Sequence, residues 1–167
     1  MGAESTGKTT LVRALSAERG WPWVAEAARK HVEAVGRPLS RFDVAPIAAR
    51  HLAAVRTAPD TPVLLLDTDL LATLAYAEHY HATSPGWLRS AASRGLADLY
   101  LVCKPDFAFD PEPVQRGSAQ DRLRIQARME ALLAEFDACV VELSGPLEER
   151  LATALAAIDD LLQKSAT

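Results

Sequence analysis

The sequence predicts an α/β protein, an open parallel sheet with helices on both faces. Short apolar runs alternate along the chain with longer amphipathic stretches, the order of strands joined by crossover helices. The run PVLLL at 62–66 is continuous rather than alternating, as in a buried parallel strand. The 167 residues, 49% of them apolar and 24% charged, suffice for one buried core and a single domain over 1–167 without disulfides or metals.

Residues 8–18 read as a helix that Gly20 ends, because glycine accepts the left-handed backbone of a helix stop. PWVAEA at 22–27 begins as a short strand, and a helix continues over 27–35 until Gly36 and Pro38 break it. Residues 42–56 are helical, with Asp43 early and Pro46 in the first turn, where no N–H partner is needed. The strand at 62–66 leads into a helix at 70–80. Ser84-Pro85-Gly86 interrupts the chain before another helix, to about residue 94. DLYLVC at 98–103 is a strand. Residues 104–118 hold three prolines and a glycine, a loop of the length that usually carries function. A helix at 121–136, the strand at 138–143, an SGP turn and a helix at 147–164 complete the chain.

Composition narrows the function classes. The net charge of −4 argues against a nucleic-acid partner, which calls for a basic surplus. No apolar run approaches the ~20 residues of a membrane helix, and the start lacks a signal-peptide pattern. Cys103 and Cys139 lie in apolar segments without CxxC spacing or histidine partners, so both are expected to be buried, reduced thiols of a cytoplasmic protein. A zinc ribbon, secretion and membrane insertion are thereby disfavoured. Oligomeric state is not legible.

The chemistry starts at the first residues. Gly2, Gly7, Lys8 and Thr9 match G-x-x-x-x-G-K-S/T at every fixed position, and a helix follows. Backbone N–H groups of such a loop wrap a polyphosphate, which demands glycine at the sharp bends. The cradle therefore comprises Gly2, Ala3, Glu4, Ser5, Thr6, Gly7, Lys8, Thr9 and Thr10. The Lys8 ammonium reaches the terminal phosphates, the Thr9 hydroxyl is placed for Mg²⁺, and the helix offers its positive end to the anion. The motif ordinarily follows a strand in the middle of the sheet, and here only Met1 precedes it. The expectation is a sheet without its first central strand, leaving two exposed strand edges.

Asp67 stands directly after the strand at 62–66 and Asp69 two residues later, and ligands of open α/β sheets bind at such carboxyl ends. An Asp there holds Mg²⁺ or orients an attacking hydroxyl, or it caps the next helix. Asp69 is the better capper, which leaves Asp67 for the metal. Glu26 and Arg29 sit at the end of the first strand, as site residues or as a surface i,i+3 pair. Arg116 and Arg122 flank the junction of the long loop with the helix after it, where a lid at about 104–121 would place cations over a migrating phosphoryl group. Arg124 and Arg128 form an i,i+4 stripe and read as surface residues.

These pieces together resemble the kinase domain of the NadR family, the ribosylnicotinamide kinases. The resemblance rests on GAESTGKTTL at 2–11, EAAR at 26–29, LLLDTDLLATLAYAEHY at 64–80, LYLVCKPDFAFD at 99–110, RGSAQDR at 116–122 and ELSGPLEERL at 142–151. DPEPVQR stands where the family has a D-G-x-R lid element. The resemblance implies a P-loop kinase fold, ATP and Mg²⁺ as cosubstrates, and phosphorylation of nicotinamide riboside to its mononucleotide. By the same resemblance Lys8 and Thr9 serve phosphates and metal, and Asp67 serves the metal or the 5′-hydroxyl. Glu26, Arg29 and Asp69 face the nucleoside, and Arg116 with Arg122 acts from the lid. The adenylyltransferase and DNA-binding domains of bifunctional members have no counterpart in these residues, so their activities are not carried over. The expected partner is a small nucleoside, with no nucleic acid or membrane involved. A kinase of another nucleoside or metabolite, or a nucleotide-dependent sensor, are the alternatives.

Overall fold

The structure is a computed structural model that describes residues 1–106 and 118–165. In chain order its elements are α1 (Lys8–Arg19), β1 (Trp23–Val24), α2 (Ala27–Val35), a 3-10 turn (Arg41–Asp43), α3 (Val44–Arg56), β2 (Leu65–Leu66), α4 (Leu70–His81), α5 (Gly86–Arg94), β3 (Tyr100–Cys103), α6 (Ala119–Glu135), β4 (Val140–Leu143) and α7 (Leu147–Ser165). The α/β alternation is that of the sequence pattern. α1 ends at Gly20, whose φ of 69° is left-handed and whose N–H bonds Ser16 O. α4 starts at Asp69, whose carboxylate accepts from Ala72 N at 2.9 Å. α6 starts at Ser118, whose hydroxyl accepts from Asp121 N while the Asp121 carboxylate reaches back to Ser118 N.

All described strand pairs are parallel, but they form two separate two-stranded sheets. β1 pairs β2 through Trp23↔Leu65 and Val24↔Leu66. β3 pairs β4 from Tyr100↔Val140 to Cys103↔Leu143. β1 and β2 are shorter than their apolar runs because a ladder extends only where a neighbour supplies partners. Met1 shows where the division falls. Its ammonium donates to Leu101 O at 2.6 Å, and Cys103 N donates to Met1 O at 2.8 Å. Met1 thus makes one rung of a parallel strand beside β3, and burial pushes its amine below the ordinary value. Between β2 and β3 runs a largely apolar slot of about 180 Å³, lined by Leu11 and Leu15 of α1, Ile158 of α7, and Val63, Leu65 and Leu99, with Lys8, Asp67 and Asp69 also on its lining.

Helices cover both faces. On one, α1 and α7 bury Leu11, Leu15, Leu143, Ala154 and Ile158. On the other, α4, α5 and α6 bury Leu71, Leu74, Leu88, Ile125, Met129 and Leu132. Each fully buried side chain of this kind contributes ~1.5–3 kcal/mol. Cys103 is buried as expected, but Cys139 is exposed. It precedes β4, an outer strand whose first residue, Val140, is itself exposed.

Asp43 departs from its expected place in a helix. It belongs to the 3-10 turn and ties α2 to α3. Its carboxylate accepts from Arg37 Nη1 at 2.8 Å and from Ser40 N and Oγ, both at 2.7 Å, and it faces His31 Nε2 at 2.9 Å. The Arg37 guanidinium and the Ser40 donors hold this carboxyl far below its ordinary value of 3.8. A carboxyl depressed in the folded state gives stability that is complete above its unfolded pKa and is lost as the pH falls below it. Asp43→Ala should therefore lose at least ~2 kcal/mol near neutral pH, the scale of hydrogen bonds to a charged group. The deficit should narrow below pH 3.8. Urea titrations of both proteins across that range measure it.

Candidate active site

The glycines of the first loop answer to geometry. Gly2 has φ 144°, and a Cβ there would lie 2.7 Å from Cys103 O and 2.9 Å from Thr6 Oγ1. Gly7, at φ 81°, occupies the N-cap of α1 and brings no side chain to cap it. The first N–H groups of α1 are thereby left to an external acceptor, the condition for an anion site. The loop folds on itself: Ala3 O accepts from Thr6 Oγ1 at 2.9 Å and from Lys8 Nζ at 2.6 Å. Gln126 of α6 accepts from Ala3 N through Oε1 at 2.9 Å. Thr10 is exposed.

The two acids after β2 separate as their spacing suggests. Asp69 caps α4 and accepts from the Tyr100 hydroxyl at 2.6 Å; burial, with the Asp69 charge beside it, pushes that phenol far up. Asp67 accepts from Thr9 Oγ1 through Oδ2 at 2.7 Å. Its other oxygen, Oδ1, is buried without a hydrogen-bond partner among the described residues. A buried carboxylate oxygen left bare is costly unless something binds it. The side chains that the sequence assigned to the metal, Thr9 and Asp67, thus meet, and both present oxygen, the donor that hard divalent cations take.

The arginines divide. Arg116 lies outside the described residues. Arg122 is buried, and its guanidinium donates to the main chain of the loop, from Nε to Glu4 O and from Nη2 to Ser5 O, each at 3.0 Å. Arg128 pairs with Glu78, in keeping with its surface reading, and Arg124 is exposed. Sequence reasoning missed Arg150, which is buried and donates from Nη1 to Thr6 O at 2.8 Å.

Beside the loop, α2, α3 and α4 enclose a cavity of about 740 Å³. Glu26, Arg29 and Asp69, the expected acceptor residues, all line it. Glu26 and Arg29 also approach each other at 3.7 Å, so the i,i+3 pair and the cavity position coexist. Glu4 of the phosphate loop lines the same wall, as do Tyr76, Tyr80 and His51. Tyr76 and Tyr80 stack with centroids 6.3 Å apart. Burial lifts the Tyr80 phenol to about 12 and lowers the His51 imidazole below its usual value, favouring the neutral ring. The i,i+4 spacing of the tyrosines was the signal available for this wall. Glu4 gave none, because its position depends on how the loop meets α4.

A family model described as AAA domain matches residues 1–150. No curated protein matches the sequence significantly. Among solved structures, the chain is similar to a NadR protein in complex with NR, at TM-score 0.77 and 28% identity over 96% of this chain and 48% of that one. A NadR protein in complex with NAD and AMP-PNP gives TM-score 0.76 and 27% identity over 96% of this chain and 47% of that one. A gluconokinase from Sinorhizobium meliloti 1021 aligns at TM-score 0.49 and 21% identity, over 99% of this chain and 93% of that one. The chain spans about half the length of the NadR structures. Its fold is the α/β fold of the P-loop kinases.

Proposed function

We propose that this chain, which belongs to the AAA domain family, is an ATP-dependent kinase of a small nucleoside, with nicotinamide riboside as the preferred acceptor. The observation that carries the reading is the Thr9–Asp67 contact and the bare Asp67 oxygen, at the start of α1 and two residues before Asp69 on the wall of the 740 Å³ cavity. The likeness to NadR structures holding NR, and NAD with AMP-PNP, supports a nucleoside in the cavity and a nucleotide on the loop.

In this mechanism the loop N–H groups and the start of α1 bind the phosphates, and Lys8 moves from Ala3 O to the terminal ones. Thr9 and Asp67 would hold Mg²⁺, which when bound neutralises charge building on the phosphates. Asp67 also orients the acceptor 5′-hydroxyl. The hydroxyl oxygen bonds to the γ-phosphorus, the bond from that phosphorus to the bridging oxygen breaks, and the hydroxyl proton leaves toward the carboxylate. Glu26, Arg29 and Asp69 bound the acceptor, and the tyrosine pair offers faces to an aromatic base. Arg116 keeps the lid role expected of it, and the protein works in the cytoplasm.

The test is ADP release with ATP and Mg²⁺ across a panel of nucleosides and small alcohols. Turnover that rises only with nicotinamide riboside supports the proposal. Strong stimulation by another acceptor reassigns the substrate, and ATP binding without any acceptor dependence makes the protein a sensor. Glu26→Gln should raise the acceptor KM about tenfold, the scale of one lost charged hydrogen bond, and leave the ATP KM unchanged. A shift in the ATP KM instead would move Glu26 out of the acceptor wall.

A further inference from the structure

We infer that Arg122 and Arg150 are positioning residues for the nucleotide: from outside the loop they lock its peptide planes so that N–H groups face the phosphates. The inference rests on the phosphate-binding reading of the first residues, and adds to it side chains from the opposite end of the sequence.

Arg122 stands in the first turn of α6 and takes Glu4 O and Ser5 O with one guanidinium. Arg150 stands in the first turn of α7 and takes Thr6 O. Three successive carbonyls of the loop are thus engaged from outside. The neighbouring carbonyls are engaged locally, Ala3 O by Thr6 and Lys8, and Gly7 O by Leu11 N within the start of α1. The described peptide bonds are trans, so each C=O points opposite to the N–H of the next residue. Pinning the oxygens of Glu4, Ser5 and Thr6 therefore turns the N–H groups of Ser5, Thr6 and Gly7 away from both guanidiniums, onto the side an anion occupies.

The loop needs such fixing. It carries positive φ at Gly2, Ser5 and Gly7, and its glycines make it loose. Burial of the pins is itself informative. Arg122 is 5% and Arg150 2% exposed, and a buried cation is expensive unless its donors are satisfied. Arg150 satisfies the rest of its fork on Gly145 O at 2.8 Å, Lys104 O at 3.2 Å and the Asp106 carboxylate. A planar fork that spans adjacent carbonyls sets their orientation, which a lysine ammonium, a point charge, does not. The guanidiniums also place positive charge behind the peptide planes, strengthening their N–H groups toward an anion.

The experiment measures AMP-PNP binding with Mg²⁺ by calorimetry for the wild type, Arg122→Lys, Arg150→Lys and Arg150→Ala, with thermal melts alongside. The expected result is affinity weaker by about 10- to 100-fold in each variant, the scale of a mispositioned binding group. For Arg150→Lys, which loses the fork that joins Thr6 O to Gly145 O and Lys104 O, kcat should fall while the acceptor KM stays put. Added guanidinium should restore part of the binding of Arg150→Ala, which a purely structural role would not allow. Folded variants that bind AMP-PNP as tightly as the wild type overturn the inference. If Arg150→Ala does not fold, the charge-keeping lysine variants, measured below their melting temperatures, decide in the same way. A wild type that fails to bind AMP-PNP overturns the phosphate-loop reading, and this inference with it.

Discussion

Lys8→Ala should lower turnover by at least ~10²-fold, the usual loss when an electrostatic stabiliser of the transition state is removed. The lysine ammonium is held by Ala3 O at 2.6 Å, inside its own loop, so little reorganisation separates it from a phosphate. Its removal leaves Ala3 O bonded to the Thr6 hydroxyl, and the arginine contacts to the loop are untouched. The fold should survive, and the melting temperature should change by no more than about 2–4 °C, the equivalent of one kilocalorie in a domain of this size. AMP-PNP affinity should fall with turnover, because the same charge attracts the nucleotide before and during transfer. A folded Lys8→Ala with normal turnover would remove the phosphate-binding assignment altogether.

Asp67→Asn should separate stability from activity. The helix after it is capped by Asp69, so Asp67 has no capping role to lose. Asn retains an oxygen for the Thr9 hydroxyl, which Asp67 now accepts at 2.7 Å. It also removes a charge from a buried site whose second oxygen has no partner among the described residues, a burial that works against folding. The variant should be at least as stable as the parent and still bind AMP-PNP through the loop. Nucleoside phosphorylation should nevertheless drop by ~10²–10⁴-fold, the range for a lost general base. Steady-state kinetics and thermal melts on the same preparation read both effects. Unchanged kcat in a stable variant would leave Asp67 a structural residue.

What the chain reveals without coordinates follows the range of the interactions involved. The helices were legible because periodicity and stop signals such as Gly20 and Gly36 are local, and α2 begins and ends where the pattern puts it. Asp69 was legible as a cap because it lies three residues before Ala72, whose N–H it receives. Arg150 was not. In the run LEER it looks like a solvated residue of a helix start, and its partner Thr6 lies 144 positions away. Gln126 is the same case, taking Ala3 N across 123 positions. Asp43 read as a helix-opening acid because its partners His31 and Arg37 converge only when α2 folds back toward α3. The exposure of Cys139 escaped because an apolar run does not tell an outer strand from an inner one.

The rung that Met1 makes beside β3 bears on how the protein is handled at the bench. Met1, bonded to Leu101 O and Cys103 N, belongs to the sheet. Residues joined ahead of Met1 run beside β3 toward the slot, and a segment that does not fit there pulls on Gly2 and Ala3, where the loop begins. The residues at the end of α7 are exposed through Ser165, so a handle belongs on that side. Assays on protein carrying an unrelated linker ahead of Met1 would report the linker as much as the site.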